Sequence, residues 1–259
     1  MTIRKYLDFS GSGNKNSFWN YVRLSALNIQ GAFDQLQYNS IRNSLDEIKF
    51  PSHTIETLKD ILNHRKLNIQ TVQGPVSWSQ RQGCAKGSCT GPVFWNLAAN
   101  EITSEEWQPE VYLQAFADDF IFVISEPTGA KLKATAQVAL TKFQHWTDKY
   151  QLKVSTEKFT TIPIRRLENG LRVKWDNQII KRPTSLKYLG VIIDNKLNWA
   201  DHLFNMKTKL IHIHQRIAGT NWGLNKDLSR RLYKTLADRM ILHGAAAWPI
   251  HYQPDNPGN

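Results

Sequence analysis

The sequence reads as an α/β protein, a small antiparallel sheet with packed helices followed by a helical module. Three observations carry this reading. The stretch 111–125 (VYLQAFADDFIFVIS) sets two apolar strands around a tight turn at Ala117-Asp118-Asp119. A helical pattern, Thr128–Tyr150, follows directly. From Trp199 to the end the spacing is helical again.

The other elements follow in order. Residues 8–17 (DFSGSGNKNS) are polar, so 1–20 reads as a flexible leader. The apolar run Tyr21–Asn28 ends at a glycine turn and reads as a buried strand. Phe33–Ile48 has helical spacing through Phe33, Leu36, Ile41, Leu45 and Ile48, with Pro51 as its stop. Residues 54–63 read as a second helix, and 67–80 as two strands about Gly74-Pro75. Pro92–Ile102 reads as a helix opened by a Gly/Ser-rich turn. Short strands are expected at 159–164, 171–175, 178–181 and 187–193. The expected organisation is a leader (1–20), a sheet domain (21–198) and a helical module (199–259).

Composition narrows the function. The 259 residues carry 33 Lys+Arg against 22 Asp+Glu, a net charge of +11, and 41% are apolar. That apolar share excludes a disordered chain. Residues 1–150 hold 15 basic and 14 acidic side chains, whereas 151–259 hold 18 and 8. The excess charge therefore sits in the C-terminal part, which suits a polyanionic partner such as nucleic acid. No apolar run reaches the roughly 20 residues of a membrane helix, and the start MTIRKYL lacks a secretory apolar core, so no membrane partner is expected. Cys84 and Cys89 have no second pair and no neighbouring histidine, which argues against zinc and against a disulfide framework.

Asp118 and Asp119 are the sharpest chemical signal. Two adjacent carboxylates between apolar strands repel each other and are poorly solvated. Divalent cations would relieve them, and phosphoryl or nucleotidyl transfer uses such ions in pairs. A solvated turn is the other reading of the same dipeptide.

The wider pattern resembles a known family. Phe116-Ala117-Asp118-Asp119 is similar to the [FY]-A-D-D box of reverse transcriptases. In the expected order, 26–34 (ALNIQGAFD) resembles the preceding carboxylate box and 82–96 (QGCAKGSCTGPVFWN) the Gly-Ser box. Residues 152–164 resemble the lysine strand, and 185–199 (SLKYLGVIIDNKLNW) the palm–thumb junction. The tail YKTLADRMILHGAAAWPIHY resembles the thumb end of non-LTR (LINE-type) retrotransposon polymerases, with the type-1 ribosomal-DNA elements as the best match. The resemblance runs from Tyr21 to Tyr252.

It implies a reverse-transcriptase-like palm at 21–198 with little or no fingers, and a helical thumb at 199–259. The implied activity is RNA-directed DNA polymerisation with two Mg²⁺ ions, using an RNA template, a DNA primer and dNTPs. The implied location is the nucleus. Asp118 and Asp119 would be the metal ligands, and Lys158 would protonate the leaving pyrophosphate. Phe33 would lie under the sugar, with Gly87, Ser88 and Lys86 near the template and nucleotide. Tyr188, Leu189 and Gly190 would support the primer end. Lys207, Lys209, Arg216, Lys226, Arg230, Arg231 and Lys234 could meet duplex phosphates.

The departures shape the expectation as much as the matches. Asn28 stands where the family has its first aspartate, and an amide is a weak Mg²⁺ ligand. Ala85-Lys86 stands where Pro-Gln is usual, and Lys158 is followed by Phe159 where threonine is usual. No upstream fingers, endonuclease domain or Cys/His knuckle is present, so a truncated copy with impaired catalysis is expected. A non-catalytic, nucleic-acid-binding relic is the alternative. Nothing in the sequence sets an oligomeric state.

Overall fold

The computed structural model describes residues 21–63, 65–85, 87–164, 172–219 and 225–243. The expected leader at 1–20, Lys86 and the tail beyond His243 lie outside the described residues.

Strand β1 (Tyr21–Asn28) is central to a four-stranded antiparallel sheet. Its neighbours are β5 (Asp119–Glu126) and β6 (Thr160–Ile164), and β4 (Val111–Phe116) pairs with the outer edge of β5. The near-continuous apolar run of β5 has a simple cause: both faces of the sheet are covered. On one face Leu27, Phe120, Phe122 and Ile124 meet the helices. On the other, Val22, Leu24, Ala26, Ile121 and Val123 meet Leu186, Tyr188, Ile193 and Trp199.

Along the chain, α1 (Ala32–Gln35), α2 (Tyr38–Glu47) and α3 (Ser52–Leu62) follow β1. The hairpin β2 (Lys66–Thr71) and β3 (Gly74–Ser79) comes next, then α4 (Thr90–Thr103). After β5 runs α5 (Gly129–Lys149), whose cap Thr128 accepts from the Lys131 amide. Phe143 and Trp146 of α5 interlock with Phe120 at ring separations of 5.1 and 5.6 Å, which locks the helix onto the sheet. Beyond β6 lie β7 (Lys174–Trp175) and β8 (Gln178–Ile179), and then the hairpin of β9 (Ser185–Tyr188) and β10 (Val191–Asp194). Two helices, α6 (Ala200–Gly219) and α7 (Lys226–Leu242), close the described chain.

The architecture agrees with the expected fold class, but several elements differ from the sequence reading. The single helix expected over 33–48 is two, broken at Leu36-Gln37. The break arises because Leu36 and Phe33 give their carbonyls to the Gly83 and Cys84 amides instead of to a helix. The turn of the 67–80 hairpin lies at Val72-Gln73, and Gly74-Pro75 opens the second strand. The run 187–193 is a hairpin rather than one strand. Leu189 (φ 47°) and Gly190 (φ 83°) turn the chain back, a conformation for which glycine is suited. The strands expected at 171–175 and 178–181 shrink to two residues each, and Leu171 lies outside the described residues.

Candidate active site

The carboxylate pair sits where β4 turns into β5. Ala117 (φ 50°) and Asp118 form the two-residue loop, and Asp119 opens β5. In the sheet register Asp119 lies directly across from Asn28 at the end of β1. The Ile29 amide donates to the Asp118 carbonyl at 2.9 Å and fixes the loop against β1. Trp95 on α4 holds it from the other side, its indole N–H donating to the Ala117 carbonyl at 2.8 Å.

The contacts of Asn28 decide the chemistry. Its Nδ2 donates to Asp118 Oδ2 at 2.9 Å and to Asp119 Oδ1 at 2.7 Å. Its Oδ1 accepts from Lys158 Nζ at 3.2 Å. An ammonium has only donors, so Lys158 sets the amide oxygen on its own side and turns the NH₂ towards the carboxylates. Four residues thus form one chain: lysine, amide, and two aspartates. Lys158 arrives because Ser155 donates from its backbone to the Asn28 carbonyl at 2.8 Å, which docks the start of the lysine segment beside β1.

This donor set does not fit two magnesium ions. Such a pair needs bridging anionic oxygens, and the third position here presents N–H hydrogens to the oxygens a cation would take. Among the described residues no group of three His, Cys, Asp or Glu side chains gathers to hold a metal.

A cavity of about 430 Å³ opens beside this chain and reaches the β9 strand, lined among others by Asn28, Asp119, Lys158, Ser185, Lys187 and Tyr188. Tyr188 is buried beneath it. Burial, with Asp119 and then Tyr112 adding, raises its phenol well above the ordinary tyrosine range. Its ring belongs to the core, so only the neighbouring turn of half-buried Leu189 and exposed Gly190 faces outward. His243, at the end of α7, binds the Leu189 carbonyl at 3.0 Å.

Phe33 and the Gly-Ser segment come together at the start of α4. The position of a Cβ on Gly91 would lie 3.1 Å from Ser88 Oγ and 3.6 Å from Phe33. Ser88 Oγ accepts from the Gly91 amide, a helix-opening contact, and Phe33 rests on Trp95 at 6.1 Å. Gly87 is exposed with φ 83°. Lys207, Lys209, Arg230 and Arg231 are exposed on α6 and α7.

The sequence reading missed two supporting residues. Trp95 carries no motif that announces its hold on Ala117. Asp194 is buried and accepts from the Lys196, Asn198 and Trp199 amides at 3.0, 3.2 and 2.7 Å, fixing the corner into α6. The Asp-Asn-Lys-Leu-Asn run was the available signal, since Asp at such a corner caps its own backbone.

Comparison with known proteins bears on the family and the fold. The family described as "Reverse transcriptase (RNA-dependent DNA polymerase)" matches residues 4–193. A Retrovirus-related Pol polyprotein from type-1 retrotransposable element R1 of Bradysia coprophila is 26% identical over 88% of this chain and 23% of its own length. The RNA-directed DNA polymerase from mobile element jockey of Drosophila melanogaster is 23% identical over 86% of this chain and 25% of its own. The chain thus spans about a quarter of these relatives. Among solved structures, telomerase from Candida Tropicalis, in complex with a fragment of telomeric RNA, superposes with a TM-score of 0.52. The identity is 16%, over 90% of this chain and 40% of the other, and the likeness is one of fold.

Proposed function

The chain belongs to the reverse transcriptase family, and from that premise we propose that it is the polymerase segment of a non-LTR retrotransposon protein, impaired in its chemistry at Asn28. In this reading 21–198 is the palm and 199–259 the thumb. The partners are an RNA template, a DNA primer and a dNTP, and the place of work is the nucleus. The family's reaction joins a primer 3′-hydroxyl to the α-phosphorus of the dNTP, and pyrophosphate leaves. Phe33 would lie under the incoming sugar, and Lys158 would hand a proton to the leaving group.

One observation carries the impairment: the Asn28 amide donates to both Asp118 and Asp119. The carboxylates are hydrogen-bonded from within, at the place where the family's Mg²⁺ would act, and Lys158 is drawn to the amide oxygen. A thousandfold rate loss corresponds to about 4 kcal/mol of lost transition-state stabilisation. A neutral amide in place of a metal-bridging carboxylate is a loss of that order.

Primer extension on a homopolymer RNA template with Mg²⁺ tests the proposal, comparing the chain with its Asn28→Asp variant. Extension by the variant alone is the expected result. Equal extension by the unaltered chain would show that two carboxylates suffice. The same amide favours a second reading, a nucleic-acid-binding relic without chemistry. Silence from both proteins, with duplex binding retained, is its signature.

A further inference from the structure

The hairpin β2–β3 contributes to neither core, and every residue of Lys66–Ser79 except Gly74 is exposed. The register gives it two unlike faces. Leu67 pairs with Trp78 and Ile69 with Val76, so these four side chains share one face. Asn68 pairs with Ser77 and Lys66 with Ser79 on the other. The apolar face is open to solvent: Trp78 is 62% exposed and Leu67 50%. Such a face on a slender ribbon is costly to leave bare and marks a binding surface.

Charge says what binds there. Between Asp60 and Glu101 the sequence has no acidic residue, and it has Arg65, Lys66, Arg81 and Lys86. Lys66 and Arg81 are exposed at the base of the ribbon, where both strands leave the body. An apolar face with an indole at its foot, flanked along the chain only by cations, is complementary to bases and phosphates presented together. Duplex bases hide their faces in the stack, whereas unpaired bases offer them. A second copy of the chain would bring like charges together at Lys66 and Arg81.

The ribbon is also placed beside Phe33, the residue read as lying under the incoming sugar. Its base is tied to the segment that carries Phe33: Cys84 donates to the Phe33 carbonyl at 2.9 Å and Gly83 to that of Leu36 at 2.9 Å. Tyr38 closes the joint through the Gly83 carbonyl at 2.7 Å. Each strand has six residues, so the ribbon reaches about 20 Å outward from that point.

We propose that the β2–β3 hairpin is a contact for unpaired nucleic acid, with Trp78 stacking on a base, Leu67, Ile69 and Val76 extending the platform, and Lys66 and Arg81 meeting the phosphates. This rests on the reading that the chain handles nucleic acid, and adds a surface to it.

The test measures binding of the full chain to two fluorescent probes by anisotropy: a blunt RNA–DNA duplex, and the same duplex with an unpaired RNA extension on its template strand. The expected result is that Trp78→Ala weakens binding of the extended probe at least about fivefold and leaves the blunt duplex within about twofold. Trp78→Phe, which keeps a stacking face, retains most of the affinity. Trp78 lies outside both cores, so the fold survives either change. Duplex binding with no loss on the extended probe would overturn the hairpin proposal and leave the polymerase reading standing. No binding of either probe would overturn both. A monomer–dimer equilibrium abolished by Trp78→Ala, with probe affinity unchanged, would assign the face to a second copy and also overturn the proposal.

Discussion

Asn28 is nearly the same shape as aspartate and opposite in what it offers its neighbours. Its two N–H donors tie Asp118 to Asp119, so the turn holds together with no cation. Asn28→Asp would remove both hydrogen bonds and set a third carboxylate against the pair. The expected outcome is a thermal midpoint that falls in chelator and recovers as Mg²⁺ is added, while the unaltered chain barely responds. The recovery follows from mass action, since an ion that binds only the folded state stabilises it in proportion to log concentration. Differential scanning fluorimetry with and without EDTA reads this directly and needs no activity. A variant that ignores Mg²⁺ would show that the site fails to bind the ion even with the carboxylate restored.

Among the elements, the corner from β10 into α6 is the joint on which the helical part depends. Asp194 accepts three backbone N–H groups there, and Ala in its place would strand them in a buried turn. The expected loss is on the order of 3 kcal/mol, seen as a lower urea midpoint. His202, on the first turn of α6, makes the same joint sensitive to acid. Its Nδ1 accepts from the Ile192 amide at 3.2 Å, which only the neutral ring can do. Burial, followed by His243 and Lys209, lowers its pKa below the ordinary histidine value. The folded state therefore binds fewer protons than the unfolded one. Stability from this residue is complete above about pH 6.5 and is lost as pH falls through the depressed folded value. Urea midpoints between pH 8 and pH 5 should fall, and His202→Asn, which keeps an acceptor, should fall less.

These elements also show what the sequence could reveal. β1 and β5 were legible because their apolar runs are long and bounded by turn residues. The gathering of Asn28 with the carboxylates is register, and register follows once the strand ends are known. The break at Leu36-Gln37 was hidden, because its cause is two amides from Gly83 and Cys84, far along the chain. The β9–β10 turn was hidden for another reason: Leu189 takes a left-handed conformation inside an apolar run, and propensity points the other way. Trp95 and its hold on Ala117 are purely tertiary.

For the molecule as a whole, charge and fold divide the labour. Residues 151–259 carry 18 basic against 8 acidic side chains, and Lys207, Lys209, Arg230 and Arg231 stand exposed on two adjoining helices. Duplex affinity should therefore fall steeply with salt, with a slope of about −0.9 in log–log form for each phosphate neutralised on B-form DNA, less on other forms. Replacing those four side chains with Ala should flatten the slope by about 3, measured by titration between 50 and 200 mM salt. An unchanged slope would place the phosphate contacts elsewhere.

The wedge at the end of β1 has a consequence in the language of heredity. Codons for asparagine and aspartate differ by one purine transition at the first base. Because the amide bonds to both carboxylates, the lost charge leaves no strain for the rest of the chain to absorb. Folding therefore accepts the asparagine with no second mutation to accommodate it, whereas the aspartate at this position folds as well only where a cation replaces the two amide hydrogen bonds. A gene carrying this asparagine codon stands a single nucleotide from an aspartate codon.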